Sequence, residues 1–356
     1  MPDRINRLRG FFEPAGIDAF YITNPENRYY LSGFSGSTGA LLLTREQSLL
    51  LTDFRYTAQA AVESPEFQVV EVTDSYAGII LKIFNENKLH RLGIEGEHLT
   101  CNQYSTLTKL CEGIEVKPQG DKVEQLRICK DESEVKLIEK AVSIADQALV
   151  LTMPLIKPDV SENEISLHLE YSMRRLGAEG PAFKIIAASG VRAALPHGVA
   201  TMKIIEAGDL VTLDFGAVYK GYHSDITRTV AINNASPKQK EIYKIVLEAQ
   251  MNAIAVLKAG IRACDVDHAA RSVIEKSGYG ECFGHSTGNG LGLSIHEIPR
   301  LSAKDNTVLE PGMVVTVEPG IYLNNWGGVR IEDTVLVENS GCRVLTGTPK
   351  EELLIL

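Results

Sequence analysis

No stretch of the sequence comes near the roughly 18 consecutive apolar residues of a membrane-spanning helix, so no membrane partner is expected. The opening MPDRINRLRGFFEPAG has no sustained apolar segment and does not read as a signal peptide. The six cysteines (Cys101, Cys111, Cys129, Cys264, Cys282 and Cys342) form no CxxC pair and are too scattered for a disulfide framework. They read as idle or buried thiols of a cytoplasmic protein. Positive charge is in deficit, with 36 basic against 46 acidic residues and a formal net charge of -10, which argues against a nucleic-acid or anionic-membrane partner. Short repeats and low-complexity tracts are also missing. What remains is an ordinary soluble composition, 44% hydrophobic and 23% charged, in a chain of 356 residues, which predicts a real core and two domains.

Residues 1–124 alternate strand and helix signals and predict a small α/β domain. Strands are expected at 18–23, 40–43, 49–52, 69–72 and 92–95, and helices at 56–62, 76–84 and 103–111. The glycines of LSGFSGSTGALLLT lack the lysine and spacing of a phosphate loop and read as a tight bend before a strand. Pro118-Gln119-Gly120 breaks the pattern, and the second domain is expected over 125–356. Asp131 and Glu134 have the spacing of a capping box at the start of its first helix. Further helices are expected at about 162–176, 237–257 and 266–276. Strand-rich segments fall at 183–188, 201–204, 210–231, 293–297, 313–323 and 328–337. This predicts an α+β domain with helices packed on a mostly antiparallel sheet.

One stretch of that domain, VTLDFGAVYKGYHSDITRT at 211–229, reads as a β-hairpin with an acid on each arm. Asp214 and Asp225 are equidistant from the Tyr219-Lys220 bond, which makes them expected cross-strand partners with Cβ atoms roughly 4.5–5.5 Å apart. Two bare carboxylates that close repel, and a divalent cation between them removes the cost. An exposed hairpin with two surface acids is the bland alternative. The pattern recurs at MVVTVEPG and GGVRIED, where Glu318 and Glu332 are equidistant from Asn325 inside a turn signal. Four carboxylates match the charge of two divalent cations, and paired metals about 3.5–4 Å apart can activate water for hydrolysis. Oxygen-dominated sites suit manganese, and with one imidazole also cobalt, zinc or iron. A single-metal site or an inert acidic cleft are the alternatives. Three of the eight histidines stand out by context: His197 in LPHG, His285 in CFGHSTGNGLG and His296 in SIHEIP. His223, two residues from Asp225, reads as solvent-exposed. GNGLG lacks the flanking strand, helix and acid of a dinucleotide site.

LDFGAVYKGYHSDITRT, FGHSTGNGLGLSIHEIP, VVTVEPGIY and GGVRIED, in this order, resemble the pita-bread metallopeptidases. YYLSGFSGSTGALLL and TDFRYTAQA resemble the N-terminal domain of the Xaa-Pro branch, prolidase and aminopeptidase P. The resemblance covers essentially the whole chain. It implies a creatinase-like α/β domain followed by a pita-bread catalytic domain. The implied activity is hydrolysis of the Xaa-Pro bond at the N-terminus of dipeptides or short peptides by a hydroxide held between two divalent metals, Mn²⁺ first and Co²⁺, Zn²⁺ or Fe²⁺ next. Asp214 matches the ligand of one metal, Asp225 and Glu332 the bridging carboxylates, and Glu318 the ligand of the other metal and a proton shuttle. His197 and His296 match the histidines that steady the carbonyl and the tetrahedral intermediate. Arg330 shares a strand face with Glu332 and orients the acids. Proline-containing peptides are the implied partners, and a homodimer the implied assembly; dipeptidase and aminopeptidase action both stay open. One position departs from the pattern: Asn289 stands where the resemblance expects a histidine ligand, seven residues before His296. Asn289 therefore predicts a weakly held second metal, or recruitment of His285 or water in its place. It also raises a second reading, an impaired pita-bread protein that binds peptides or a partner. A metal-free amidinohydrolase of the creatinase kind is argued against by the four retained acids.

Overall fold

The short apolar runs in the first third of the chain pair into one sheet. The computed structural model describes residues 2–356, and the chain divides after Arg127 into two units. The strands of the first are β1 (Ala19–Ile22), β2 (Ala40–Thr44), β3 (Ser48–Thr52), β4 (Gln68–Glu71), β5 (Arg91–Glu95) and β6 (Glu115–Gln119). They are ordered β4-β3-β2-β1-β5-β6, antiparallel at β1/β2 and β2/β3 and parallel elsewhere. β2 is buried at every residue and β3 at every residue after Ser48, which is why both read as continuous apolar runs rather than alternating ones. The helices are α1 (Pro2–Arg9), α2 (Phe12–Ala15), α3 (Pro25–Ser32), α4 (Thr57–Glu63), α5 (Tyr76–Asn87), α6 (Cys101–Leu110) and α7 (Lys122–Arg127). α1, α2, α3, α7 and β6 go beyond the sequence reading. α3 carried a legible start, since Asn24 accepts from the Asn27 N–H and Pro25 opens its first turn. Gly33 ends α3 in the left-handed region at φ 78°, so it is a helix stop and not the bend expected of it. Gly36 and Gly39 instead leave room for the Phe34 ring, which a Cβ at Gly36 would meet at 2.2 Å.

In the second unit Asp131 accepts from the N–H groups of Ser133 and Glu134, and Glu134 returns a bond to the Asp131 N–H. This is the capping box its spacing predicts. It starts α8 (Glu132–Thr152), which is followed by α9 (Glu162–Arg175). β7 (Gly180–Pro181), β8 (Ile186–Ser189), β9 (Leu210–Phe215), β10 (Ala217–Tyr219), β11 (Tyr222–His223) and β12 (Ile226–Ala231) come next, then α10 (Pro237–Val256) and α11 (Ala263–Lys276). β13 (Gly288–Gly290), β14 (Glu297–Leu301), β15 (Val314–Val317), β16 (Gly320–Leu323), β17 (Gly327–Arg330), β18 (Asp333–Val337) and β19 (Cys342–Val344) complete it. The ladders between these named strands are all antiparallel. α8 and α9 share a core with Val211, Leu213, Phe215, Ile226 and Val230 of the β9–β12 hairpin. α10 and α11 share another with Val315, Val317, Ile321, Val329 and Val335 of β15–β18. Each hairpin thus has its own helical backing, and its polar face is left for the site.

Two strand expectations fail. Residues 201–204 make only an isolated bridge, Ser161 with Ile204. The strand expected at 293–297 starts instead at Glu297, and the strand before it, β13, is made of Gly-Asn-Gly with no strand formers. Close approach explains β13: a Cβ at Gly288 would lie 1.9 Å from the Thr316 carbonyl oxygen. The six cysteines are free thiols. Among the described residues no helix is long and apolar enough to cross a membrane.

Candidate metal centre

The first hairpin turns at Lys220-Gly221, both at positive φ (47° and 74°), so Tyr219 faces Tyr222 and Val218 faces His223. The same register runs on to Phe215 facing Ile226 and Asp214 facing Thr227. Asp214 and Asp225 are therefore not direct partners, as the turn placed at Tyr219-Lys220 would require. Gly221 takes the second turn position, where positive φ costs glycine least, and this shifts the register by one pleat. Asp225 is the diagonal neighbour of Asp214 on the same face.

The second hairpin keeps the expected register. Val317 faces Asp333 in one ladder and Gly320 faces Arg330 in the next. Glu318 and Glu332 oppose each other in the gap between them. Freed from pairing there, the Glu318 N–H donates to the Thr287 carbonyl at 2.7 Å and the Glu332 N–H to the Thr227 carbonyl at 3.1 Å. The second bond joins the two hairpins. The turn of the second hairpin, Asn324-Asn325-Trp326, carries the sequence's one tryptophan, with the Lys238 ammonium 5.5 Å from its ring centroid.

The join brings Asp214, Asp225 and Glu332 together, with one oxygen from each within 4.8 Å of the others. Asp225 Oδ1 and Glu332 Oε1 are buried and accept no hydrogen bond. Glu332 Oε2 accepts from the Thr227 hydroxyl at 2.7 Å, and Asp214 Oδ2 from Arg330 Nη2 at 2.6 Å. Glu318 Oε1 accepts from the Thr316 hydroxyl at 3.2 Å. Burial, and then the charge of the neighbouring acids, holds Asp225 and Glu332 well above the usual carboxylate range. Burial also pushes Glu318 up to about 7, against the pull of Arg330. Orphaned carboxylate oxygens converging on one point are the donor set of a hard cation, so the residues present fit divalent metal. Arg330 is the nearby counter-charge. Its three nitrogens are spent on Asp214, on the Tyr322 hydroxyl at 2.7 Å and on the Thr227 hydroxyl at 3.1 Å.

A pH dependence follows. Glu318 in the cation-free protein is protonated to about pH 7, whereas the ordinary glutamate value is 4.5. Between those values the unfolded chain has released a proton that the folded chain retains. The stability of the cation-free protein therefore falls as pH rises through that window, with Asp225 and Glu332 acting in the same direction. Melting in chelator should show lower Tm at pH 7 than at pH 5, and saturating Mn²⁺ should reverse the order, because the cation binds the deprotonated cage. A Tm that rises with pH in chelator would contradict the assignment.

A cavity of about 210 Å³ adjoins the acids and is lined by Asp214, Glu318 and Arg330 together with His197, His285, Asn289 and His296. His197 and His296 are both exposed. Partial burial on the cavity side, and next the charges of Arg300 and His197, hold His296 below the usual imidazole value. His285 is committed elsewhere. Its Nδ1 lies 2.8 Å from the Ser286 carbonyl oxygen and so carries the proton, which leaves Nε2 to accept from the Tyr322 hydroxyl at 2.9 Å. Burial pushes it down to about 4, so it stays neutral. The recruitment of His285 as a substitute ligand, expected as one option from the sequence, finds no free nitrogen. His223 is half-buried rather than solvent-exposed, with Nδ1 3.3 Å from the Gly292 carbonyl oxygen. Sequence reasoning passed over Thr227, Thr316 and Tyr322. All three sit in the quoted motifs, but their hydroxyls meet partners that strand pairing brings in from elsewhere in the chain: Glu332 and Arg330 at Thr227, Asn289 at Thr316, His285 and Arg330 at Tyr322.

Residues 136–339 match metallopeptidase family M24. The chain belongs to this family. Residues 4–129 match the creatinase/prolidase N-terminal domain, so an M24 pita-bread domain follows a creatinase-type one. Among the chain's relatives, the Xaa-Pro dipeptidase of Pyrococcus furiosus is 42% identical over 99% of this chain and 100% of its own length. An uncharacterized peptidase of Bacillus subtilis is 44% identical over 99% and 100%. Of solved structures, the Xaa-Pro dipeptidase from Bacillus anthracis superposes with TM-score 0.97 at 47% identity, over 99% of each chain. The X-Pro aminopeptidase from Thermotoga maritima gives 0.90 at 41%, over 96% of this chain and 98% of its own. Membership of M24 implies divalent metal ions, and Asp225 Oδ1 and Glu332 Oε1 are the buried carboxylate oxygens that lack a hydrogen-bond partner among the described residues.

Proposed function

We propose that the chain is a cytoplasmic, homodimeric Xaa-Pro peptidase. It would hydrolyse the bond before proline in dipeptides, with short Xaa-Pro peptides as the neighbouring substrate class. The observation that carries this is the pair of buried, unpartnered carboxylate oxygens beside a cavity edged by His197 and His296. The dipeptidase names of relatives spanning the full chain support the substrate class. Asp214, Asp225, Glu318 and Glu332 would hold two divalent cations, Mn²⁺ by the oxygen-rich donor set, with Asn289 at the edge of the second position. When bound, these supply Lewis acidity and an activated water at neutral pH.

The side chains divide the remaining work. Glu318, whose proton leaves near pH 7 before cations bind, takes the proton of the attacking water and returns it to the proline nitrogen. His296, whose protonation its surroundings oppose, and His197 contact the scissile carbonyl oxygen and the oxyanion that replaces it. Arg330 fixes Asp214 and the Tyr322 hydroxyl, so one of the two acids lining the cavity keeps one orientation. The binding-only reading raised by Asn289 is not favoured, because all four acids are retained, three of them with oxygens within 4.8 Å of one another and Glu318 on the adjoining cavity.

The test is turnover of Ala-Pro, Ala-Pro-Ala and Ala-Ala by Mn²⁺-loaded protein. Cleavage of the two proline substrates and not of Ala-Ala is expected, and the ratio of the first two separates dipeptidase from aminopeptidase action. Glu318→Gln should lower kcat about 10²–10⁴-fold with substrate binding retained. Binding of Ala-Pro without turnover at saturating Mn²⁺ would reinstate the binding-only reading.

A further inference from the structure

Asn289 occupies β13, whose next residue, Gly290, pairs with Val315 of β15. Its N–H donates to the Thr316 hydroxyl at 3.1 Å, and that same hydroxyl donates to Glu318 Oε1 at 3.2 Å. One threonine therefore links residue 289 to the cation-binding acid on the second hairpin. The amide end of Asn289 is also committed. Nδ2 donates to the Gly290 carbonyl at 3.0 Å and to the Ile295 carbonyl at 3.2 Å. Two carbonyl acceptors fix which end is nitrogen, since neither can pair with an amide oxygen. Oδ1 is then the polar atom that Asn289 has left for the cavity it lines with Asp214 and Glu318. Nitrogen is scarce here in another respect. Both His285 nitrogens are engaged, and among the described residues no histidine or cysteine joins the three-acid cluster.

We infer that the Asn289 side chain makes the second cation position an oxygen-only site, selective for Mn²⁺ against Zn²⁺ and Co²⁺ relative to a site that holds an imidazole. This rests on the proposed two-cation centre. Carboxylate and carbonyl oxygens suit Mn²⁺, whereas Zn²⁺ and Co²⁺ gain more from imidazole. The two positions should accordingly differ. The cation held among Asp214, Asp225 and Glu332 binds first, and the one beside Glu318 and Asn289 follows more weakly, as Mn²⁺.

Calorimetric titration of the metal-stripped full chain with Mn²⁺ and with Zn²⁺ tests this, alongside electron paramagnetic resonance of the Mn²⁺ form. Two unequal Mn²⁺ steps are expected, with spin coupling appearing only at the second. Asn289→His should tighten the second Zn²⁺ step about tenfold or more while moving the second Mn²⁺ step by less than about threefold. Asn289→Ala should weaken the second Mn²⁺ step and leave the first unchanged, and the unchanged first step shows that the fold is intact. Equal shifts for both metals in Asn289→His, or an unaffected second Mn²⁺ step in Asn289→Ala, would overturn the inference while leaving the two-cation centre standing. No cation binding at all would remove that centre, and the inference with it.

Discussion

Asp225→Asn is expected to strip the protein of tightly bound divalent cation and to lower Xaa-Pro hydrolysis about 10³-fold or more. The same change should raise the Tm of the cation-free protein at neutral pH. Both effects come from one atom's situation. Asp225 is 7% exposed, its Oδ1 has no partner, and burial followed by the charge of Glu332 opposes its ionisation. The unfolded chain ionises this acid freely at neutral pH, so the folded state carries a penalty that only a cation relieves. An amide removes the penalty, because it carries no charge to bury. Elemental analysis of the purified variant, together with melting in chelator, checks both halves. A variant with the parent's metal content, or one whose cation-free form melts lower, would sink the account.

Asp333→Ala should have the largest effect on stability, about 3–5 kcal/mol. Asp333 directly follows Glu332 but faces away from the cage. Its 1% exposed carboxylate accepts from Arg228 at 2.8 Å, Gln250 at 2.7 Å and Thr346 at 2.5 Å, and pairs closely with Lys350. Burial alone would raise its pKa, but Arg228 and then Lys350 outweigh burial and hold it below the usual value. Alanine leaves two cations enclosed without a counter-charge. The Arg228 guanidinium also grips the Glu332 carbonyl at 2.5 Å, so the cage should loosen as the network fails. Because the folded pKa is depressed, the stabilisation is present above the unfolded aspartate value and lost as pH falls through the folded one. Parent and variant should therefore converge in acid. Denaturant unfolding at neutral and acidic pH measures this, and a neutral-pH difference under about 1 kcal/mol would contradict it.

Turn chemistry made much of the site legible. The Asn-Asn-Trp-Gly connection placed Glu318 opposite Glu332 correctly. The first hairpin was misread by one pleat because Tyr219-Lys220-Gly221 contains two possible two-residue turns, and backbone φ decides between them. Face-sharing survived that error, since diagonal and direct partners lie on one side of a sheet. The contacts that finish the site did not survive it. Arg330 reaches Asp214 across 116 residues, and β13 exists because glycine admits a neighbouring carbonyl, which no strand propensity signals. The long helices that open on capping boxes, α8, α9 and α10, are legible in the sequence; the short α1, α3 and α7 are not, α3 in spite of its Asn24 cap.

The tip of the second hairpin offers a reporter. Trp326 is the only indole in the chain, and it belongs to the Ile128–Leu356 unit. Selective indole excitation therefore follows that unit alone, however the unit ending at Arg127 behaves. The ring sits at the end of the arms that bear Glu318 and Glu332, beside the Lys238 ammonium. Its emission provides an optical read-out of melting for the Asp333→Ala comparison without any added label.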